Sequence, residues 1–223
     1  MLAIETSTNA CSVALGIGDE VIGEHVVEPR AHTRILMPMI HGLLSKAGIG
    51  ATDLDVVALG NGPGSFIGMR IGAAVAQGIC FAAGIDVVPV SSMAAVAAEA
   101  FDVSDAAEVV VTQDARMNEV YTGIYVRDAS GLPRVTEDEF IGQVGALLLP
   151  ETLFFAAGGG WRRYPELIQS GTGTIVEVLD IDVPNAVYVL QLAQSAEAVA
   201  IPPASLTPAY LRQKVAEKPA GTG

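Results

Sequence analysis

The sequence predicts an α/β protein of two lobes, each a mixed sheet flanked by helices. Three observations lead there. Short apolar segments of strand length alternate with longer segments of helical period. The element order of the first half starts again in the second, which predicts a duplicated α/β lobe. A stretch rich in Asp and Ser at residues 101–107 separates the halves, so the lobes are drawn as 1–104 and 105–223. With 223 residues, 51% hydrophobic and only 17% charged, the chain has enough apolar material for a sizeable core.

Each element follows from its residues. Segments 2–7, 11–17 and 21–27 read as strands joined by turns at Asn9 and Gly18-Asp19-Glu20, an antiparallel meander. Ile35, Leu36, Met39, Ile40, Leu43 and Leu44 form one stripe of a helix at 32–47, with Gly48 as its stop. Pro38 should kink that helix or mark a late start. Residues 55–60 form a short apolar strand suited to burial. A glycine loop and a long apolar helix follow, then a strand at 86–90 and an alanine-rich helix through 93–100, capped by Ser91 or Ser92. In the second half, strands are expected at 108–112, 119–126 and, more weakly, 134–136. A helical segment at 140–149, a strand at 153–157, a helix near Trp161 and a last strand at 175–178 come next. A final helix at 185–199 is stopped by Pro202-Pro203. It and the tail are expected to pack back on the first lobe, with residues 217–223 loose.

Charge narrows the function. The formal net charge is −13, from 12 basic and 25 acidic residues, so most of the surface repels polyanions. Cys11 and Cys80 lie in apolar patterns and read as buried small hydrophobes, not a redox pair. No basic leader precedes the first apolar residues, and the apolar helix at 67–85 carries Arg70 and Gln77 among many glycines. A buried helix in a cytoplasmic protein, with no membrane contact, is the expectation.

The most informative stretch runs from Gly60 to Gly72. Gly62, Gly64 and Gly68 permit close backbone approach, and Ser65 is placed to cap the helix starting at Phe66. Such a loop either holds an anion or makes a tight strand-to-helix turn. It is neither a Walker A loop nor a dinucleotide fingerprint. Behind it, Gly64, Gly68, Gly72, Ala76 and Cys80 fall four apart, beside a second row of Ile67, Ile71, Val75 and Ile79. This face packs either on the chain's own sheet or on a helix of a second protein. In the second case Gly72 is external, and Gly72→Leu should abolish pairing without unfolding the chain. Arg70, the one charge in the helix, either forks onto a carboxylate or phosphate or snorkels at the rim.

Other polar residues give less. His25, His32 and His41 form no pair four apart and no HExxH, so no transition-metal site is expected. Ser65 has no identifiable base. Asp114 and Arg116, between two second-half strands, and Glu5, at the end of the first strand, would face one another across a cleft in a duplicated fold. A phosphate-handling enzyme puts its metal-binding acids there. Two local pairings, Asp114–Arg116 or Arg116–Glu119, explain the same residues structurally.

Several motifs resemble one family. Ile4-Glu5-Thr6-Ser7, Cys11-Ser12-Val13-Ala14-Leu15, His32-Thr33 with Leu36-Met37-Pro38, and Gly62 through Gly72 are similar to the bacterial TsaB (YeaZ) family. So are Asp114-Ala115-Arg116 with Glu119-Val120-Tyr121, and Pro208-Ala209-Tyr210-Leu211-Arg212. The resemblance implies an actin/Hsp70/hexokinase-like fold. It also implies a non-catalytic subunit for making N6-threonylcarbamoyladenosine (t6A) at position 37 of tRNAs reading ANN codons. The implied partners are the TsaD-like threonylcarbamoyl-transferase paralogue, forming a heterodimer through the first lobe, and a TsaE-like P-loop ATPase. A homodimer through an overlapping face is implied too, with tRNA held mainly by the complex. The implied interface is Gly64, Gly68, Ile71, Gly72, Val75, Ala76, Ile79 and Cys80, with Arg70, Asp114 and Arg116 as polar contacts. No cofactor is held tightly by the chain alone, and ATP or ADP belongs to the assembled complex. The paralogue's metal-binding histidines, four apart, are not matched, since Leu36 follows His32. A small kinase or ATPase of the same fold is the alternative. A peptidase reading attached to the family's older naming finds no nucleophile or metal set.

Overall fold

The computed structural model describes residues 1–170 and 174–211. The expected looseness of 217–223, and Arg212 of the closing motif, lie outside the described residues.

The first sheet has the order β3-β2-β1-β4-β5. β1 (Leu2–Glu5), β2 (Ala10–Ile17) and β3 (Glu20–Val27) form the expected antiparallel meander. β4 (Val56–Gly60) and β5 (Asp86–Val90) add in parallel on the other side of β1. The second sheet has the order β11-β10-β6-β7-β8, with β9 also paired to β7. β6 (Glu108–Arg116), β7 (Glu119–Arg127) and β8 (Pro133–Val135) are antiparallel neighbours. β10 (Phe154–Ala157) and β11 (Ile175–Val178) add in parallel beside β6. The two sheets thus share one topology: three antiparallel strands, then two parallel ones on the far side of the first.

The helices cover the sheets unequally. α1 (His32–Ala47) and α2 (Phe66–Ala83) lie on one face of the first sheet. Leu36, Met39, Ile40, Leu43, Ala73, Ala76 and Cys80 pack there against Leu2, Ile4, Val13, Val57 and Leu59. Pro38 stays inside α1. The opposite face is covered by α6 (Ala186–Ala193), whose Ala186, Val189, Leu190 and Ala193 meet Ala3, Ala14, Ala58 and Val88. α3 (Ser92–Val103) follows the last strand of the first sheet but buries Met93, Val96, Ala97, Ala100 and Phe101 chiefly against the second, on Val109, Val111, Tyr121 and Tyr125. Each half of the sequence therefore lends its last helix to the sheet of the other half. α4 (Gly159–Arg163) and α5 (Pro165–Ser170) complete the second half, with Trp161 and Leu167 buried on Val110, Val120 and Phe154.

Two expectations change. Residues 140–149 are not helical: β9 (Phe140–Gln143) pairs with β7 and a short 3-10 turn follows at Val144–Ala146. The open edge of β7 offers ladder partners that local helical period cannot reveal, and Gly142 and Gly145 weaken a helix there. The final helix stops at Ala193 instead of reaching 199. Its buried face ends there, and Glu197 and Val199 lie outside the core.

Candidate functional site: the glycine junction and helix α2

Gly60 through Gly72 wraps the turn after β1. Ser65 caps α2, its hydroxyl accepting from the Gly68 amide at 3.2 Å, and Gly84 closes the helix in the left-handed region at φ 70°. The Gly62–Pro63 peptide is cis. The loop holds the turn through direct bonds. The Ser65 amide donates to the Ser7 carbonyl at 2.6 Å, and the Thr6 hydroxyl donates to the Gly68 carbonyl at 2.9 Å.

Glycine is required because there is no room for anything else. A Cβ at Gly64 would lie 2.2 Å from the Ser7 carbonyl oxygen, and one at Gly68 would lie 2.0 Å from that of Thr6. At Gly72 it would meet Thr6 Oγ1 at 2.4 Å and Leu59 Cδ1 at 3.2 Å. Gly68, Gly72, Ala76, Ile79 and Cys80 are buried, and Gly64 is half-buried. The small-residue row is thus spent on the chain's own strand ends. Gly72 is not external, and Gly72→Leu strikes Thr6 and Leu59 before it touches any partner.

Glu5 is enclosed by the same junction. It is 1% exposed, accepts from the Ser7 amide at 2.5 Å and from the Ser92 hydroxyl at 2.6 Å, and Ser92 Oγ in turn accepts from the Gly62 amide at 3.0 Å. A Cβ at Gly60 would fall 1.8 Å from Glu5 Oε2. Burial raises the Glu5 pKa against the lowering pull of these hydrogen bonds. Next door, Ser91 caps α3 and also donates to Glu139, a carboxylate of the second half that accepts from the Tyr125 hydroxyl too. Burial raises both Glu139 and Tyr125. Sequence reasoning did not find Ser92, Glu139 or Tyr125. The Ser91-Ser92 pair was visible, but the carboxylates it meets lie 48 and 87 residues away.

Asp114 does not meet Glu5. Its Oδ1 accepts from the Arg116 amide at 2.8 Å and the Tyr164 hydroxyl at 2.9 Å, and its Oδ2 pairs with Arg116 Nη1 at 2.9 Å. Of the two pairings considered for Arg116, the one with Asp114 forms. The turn is built from three left-handed residues, Arg116, Met117 and Asn118, at φ 66°, 56° and 60°. His32 is buried, and its Nε2 donates to the Ala10 carbonyl at 3.0 Å. Among the described residues no group of three His, Cys, Asp or Glu is arranged to hold a metal.

The other side of α2 is different. Ile67 is 70% exposed and Phe81 63%, with Ala74 and Gly78 exposed between them. Ile71 and Val75 are half-buried against the core edge. Arg70 lies 3.5 Å over the Phe66 ring, and its Nε donates to the Tyr210 hydroxyl at 2.9 Å. Tyr210 arrives on a C-terminal segment tied down by Asn61 Nδ2 to the Thr207 carbonyl (2.9 Å) and by the Ala209 amide to the Asn61 carbonyl (3.0 Å). Ala74, Gly78 and Phe81 were missed as surface residues. Their spacing from Ile67 is helical, but period alone does not say which of two apolar rows faces the sheet. α2 is the one helix among the described residues long and apolar enough to cross a membrane, yet its buried row lies in the core of the first sheet.

These features define a class: a duplicated α/β protein whose glycine junction is filled by its own strand end, with one long helix half turned outward. The family model described as TsaD, tRNA N6-adenosine threonylcarbamoyltransferase, matches residues 25–157. The tRNA threonylcarbamoyladenosine biosynthesis protein TsaB of Haemophilus influenzae is 36% identical, over 98% of this chain and 95% of the relative. The Escherichia coli TsaB is 34% identical over 98% and 96%. A crystal structure described as an uncharacterized protein with similarity to peptidase YeaZ, from Pseudomonas aeruginosa, superposes with a TM-score of 0.85 at 34% identity, covering 95% of this chain and 98% of that one. The chain belongs to the TsaB family, within the wider group that the transferase model describes.

Proposed function

We propose that this chain is the non-catalytic partner subunit in N6-threonylcarbamoyladenosine formation on tRNA, pairing with a TsaD-like transferase paralogue. The observation that carries the reading is the near full-length likeness to proteins named for tRNA threonylcarbamoyladenosine biosynthesis. The duplicated sheet topology supports the finer assignment to the actin/Hsp70/hexokinase-like fold.

The outward row of α2 is the docking face in this reading. Ile67, Ala74, Gly78 and Phe81 supply apolar area, with Ile71 and Val75 at its edge, while the glycines behind them bring the helix close to its own sheet. A homodimer would use the same row when the partner is absent. A TsaE-like ATPase and the tRNA join the assembled complex, in the cytoplasm, and ATP or ADP is bound there instead of by this chain alone. The alternative of a small kinase needs free acids at Glu5 and Asp114 and an open phosphate loop. Glu5 is hydrogen-bonded in the core, Asp114 is paired with Arg116, and the loop is occupied by Ser7 and Thr6.

The test is threonylcarbamoylation of tRNA by the reconstituted transferase system with and without this chain. Strong dependence on the chain is expected. Full activity in its absence overturns the reading. Calorimetry with Mg-ATP on the chain alone separates the alternative, since sub-millimolar binding lost in Asp114→Ala would favour a kinase.

A further inference from the structure

α1 and α2 form the outer layer of the first sheet, and neither the 16 residues of α1 nor the 18 of α2 include an aspartate or glutamate. The whole chain has 25 acidic residues and a net charge of −13. The charges in this layer are Arg34, Lys46 and Arg70, all cationic. Arg34 is already paired with Glu28 at 2.5 Å. Among the described residues, no carboxylate forms an ion pair with Arg70.

Arg70 is nevertheless held in place. Its guanidinium stacks on Phe66 at 3.5 Å and is tied through Nε to Tyr210, and among the described residues its two terminal nitrogens make no further hydrogen bond. It stands one turn from Ile67, at the end of the exposed apolar row. A protein that covers this row takes Arg70 out of water, and a charge buried without a counter-charge weakens the complex. A second copy docked α2 against α2 brings no carboxylate from either helix. A polynucleotide would want several basic residues and would meet an acidic protein.

We propose that Arg70 is the polar anchor of the α2 docking face, and that the face selects a protein subunit presenting a carboxylate over self-pairing. The inference rests on the pairing proposed above and adds the chemistry of the partner. The apolar row supplies area common to both kinds of dimer. Arg70 supplies the preference, because a fork fixed before binding loses little freedom on meeting a carboxylate.

The experiment titrates the purified transferase paralogue into the wild-type chain, Arg70→Glu and Arg70→Lys by calorimetry at low and high salt. Self-association of each is followed by sedimentation. Arg70→Glu should weaken the heterocomplex by about 30-fold or more, the scale for breaking a covered charge pair. Arg70→Lys should retain an intermediate affinity, and only the cationic forms should lose affinity steeply with salt. Self-association should move by less than about threefold, since no charge pair is lost there. Thermal midpoints of the variants check that they fold. If the wild type does not bind, the pairing itself fails. If the wild type binds and Arg70→Glu binds as well, the pairing stands and the anchor is overturned. A loss seen only when tRNA is present would assign Arg70 to phosphate and overturn the carboxylate.

Discussion

The two halves of the molecule build the same junction and use it differently. In the first, Gly68 and Gly72 close on the carbonyl and hydroxyl of Thr6, where a Cβ would lie 2.0 and 2.4 Å away. In the second, Gly158 and Gly160 close on the carbonyl and hydroxyl of Thr112, at 2.2 and 2.5 Å. Both halves therefore pin glycines that follow a parallel strand onto a threonine, Thr6 just beyond β1 and Thr112 within β6. The continuation differs. α2 runs for 18 residues, while α4 has 5 and gives way to α5. Arg162 of α4 is satisfied within the chain by Asp180 and Asp182 at 2.6 and 2.7 Å. Arg70 of α2 ends on aromatic rings, with no counter-charge among the described residues. The glycines explain packing in both halves, and the outer row of the longer helix stays exposed.

The comparison is broken most severely by filling a glycine. Gly72→Leu and Gly160→Leu should each cost about 3 kcal/mol or more in urea unfolding, through overpacking against threonine. A Gly72→Leu chain with the wild-type midpoint would show that its face is external after all. Ser92→Ala removes the hydroxyl between Glu5 and the Gly62 amide and should cost about 2 kcal/mol, leaving a buried carboxylate one partner short. The second half has no buried acid at the matching place, so the loss tests whether the first junction depends on this bond.

A surface change should act the other way. Ile67→Glu is expected to leave unfolding within about 0.5 kcal/mol. It should weaken binding of the transferase paralogue by about tenfold, or 1.4 kcal/mol. Equal binding would move the docking face elsewhere.

The smallest effect is in pH. Glu99 on α3 is raised to about 7 by burial, with the Asp102 charge adding to it. The folded protein then holds a proton that the unfolded chain releases near the ordinary value of 4.5, so this contribution to stability falls as pH rises from 4.5 through 7. Glu5 and Glu139, also raised, act in the same direction. Glu99→Gln should flatten the midpoint-versus-pH curve in that window, and an unchanged slope would remove Glu99 as its source.

The sequence by itself determined the local elements wherever one period dominated. The meander of β1 to β3, α1 with its apolar stripe, β4, β5 and the Ser65 cap of α2 are all legible, because alternation, helical spacing and capping chemistry are short-range. So was the need for glycine between Gly60 and Gly72. Tertiary structure alone decided what the glycines approach, because Thr6, Ser7 and Glu5 lie more than fifty residues away. It also decided that residues 140–143 complete a ladder, that α3 crosses to the opposite sheet, and that the small row of α2 turns inward while Ile67 and Phe81 turn out. A helix apolar on two rows has no orientation of its own. Only the sheet it packs against chooses the row to bury, and that choice leaves the other row, with Arg70 at its end, exposed.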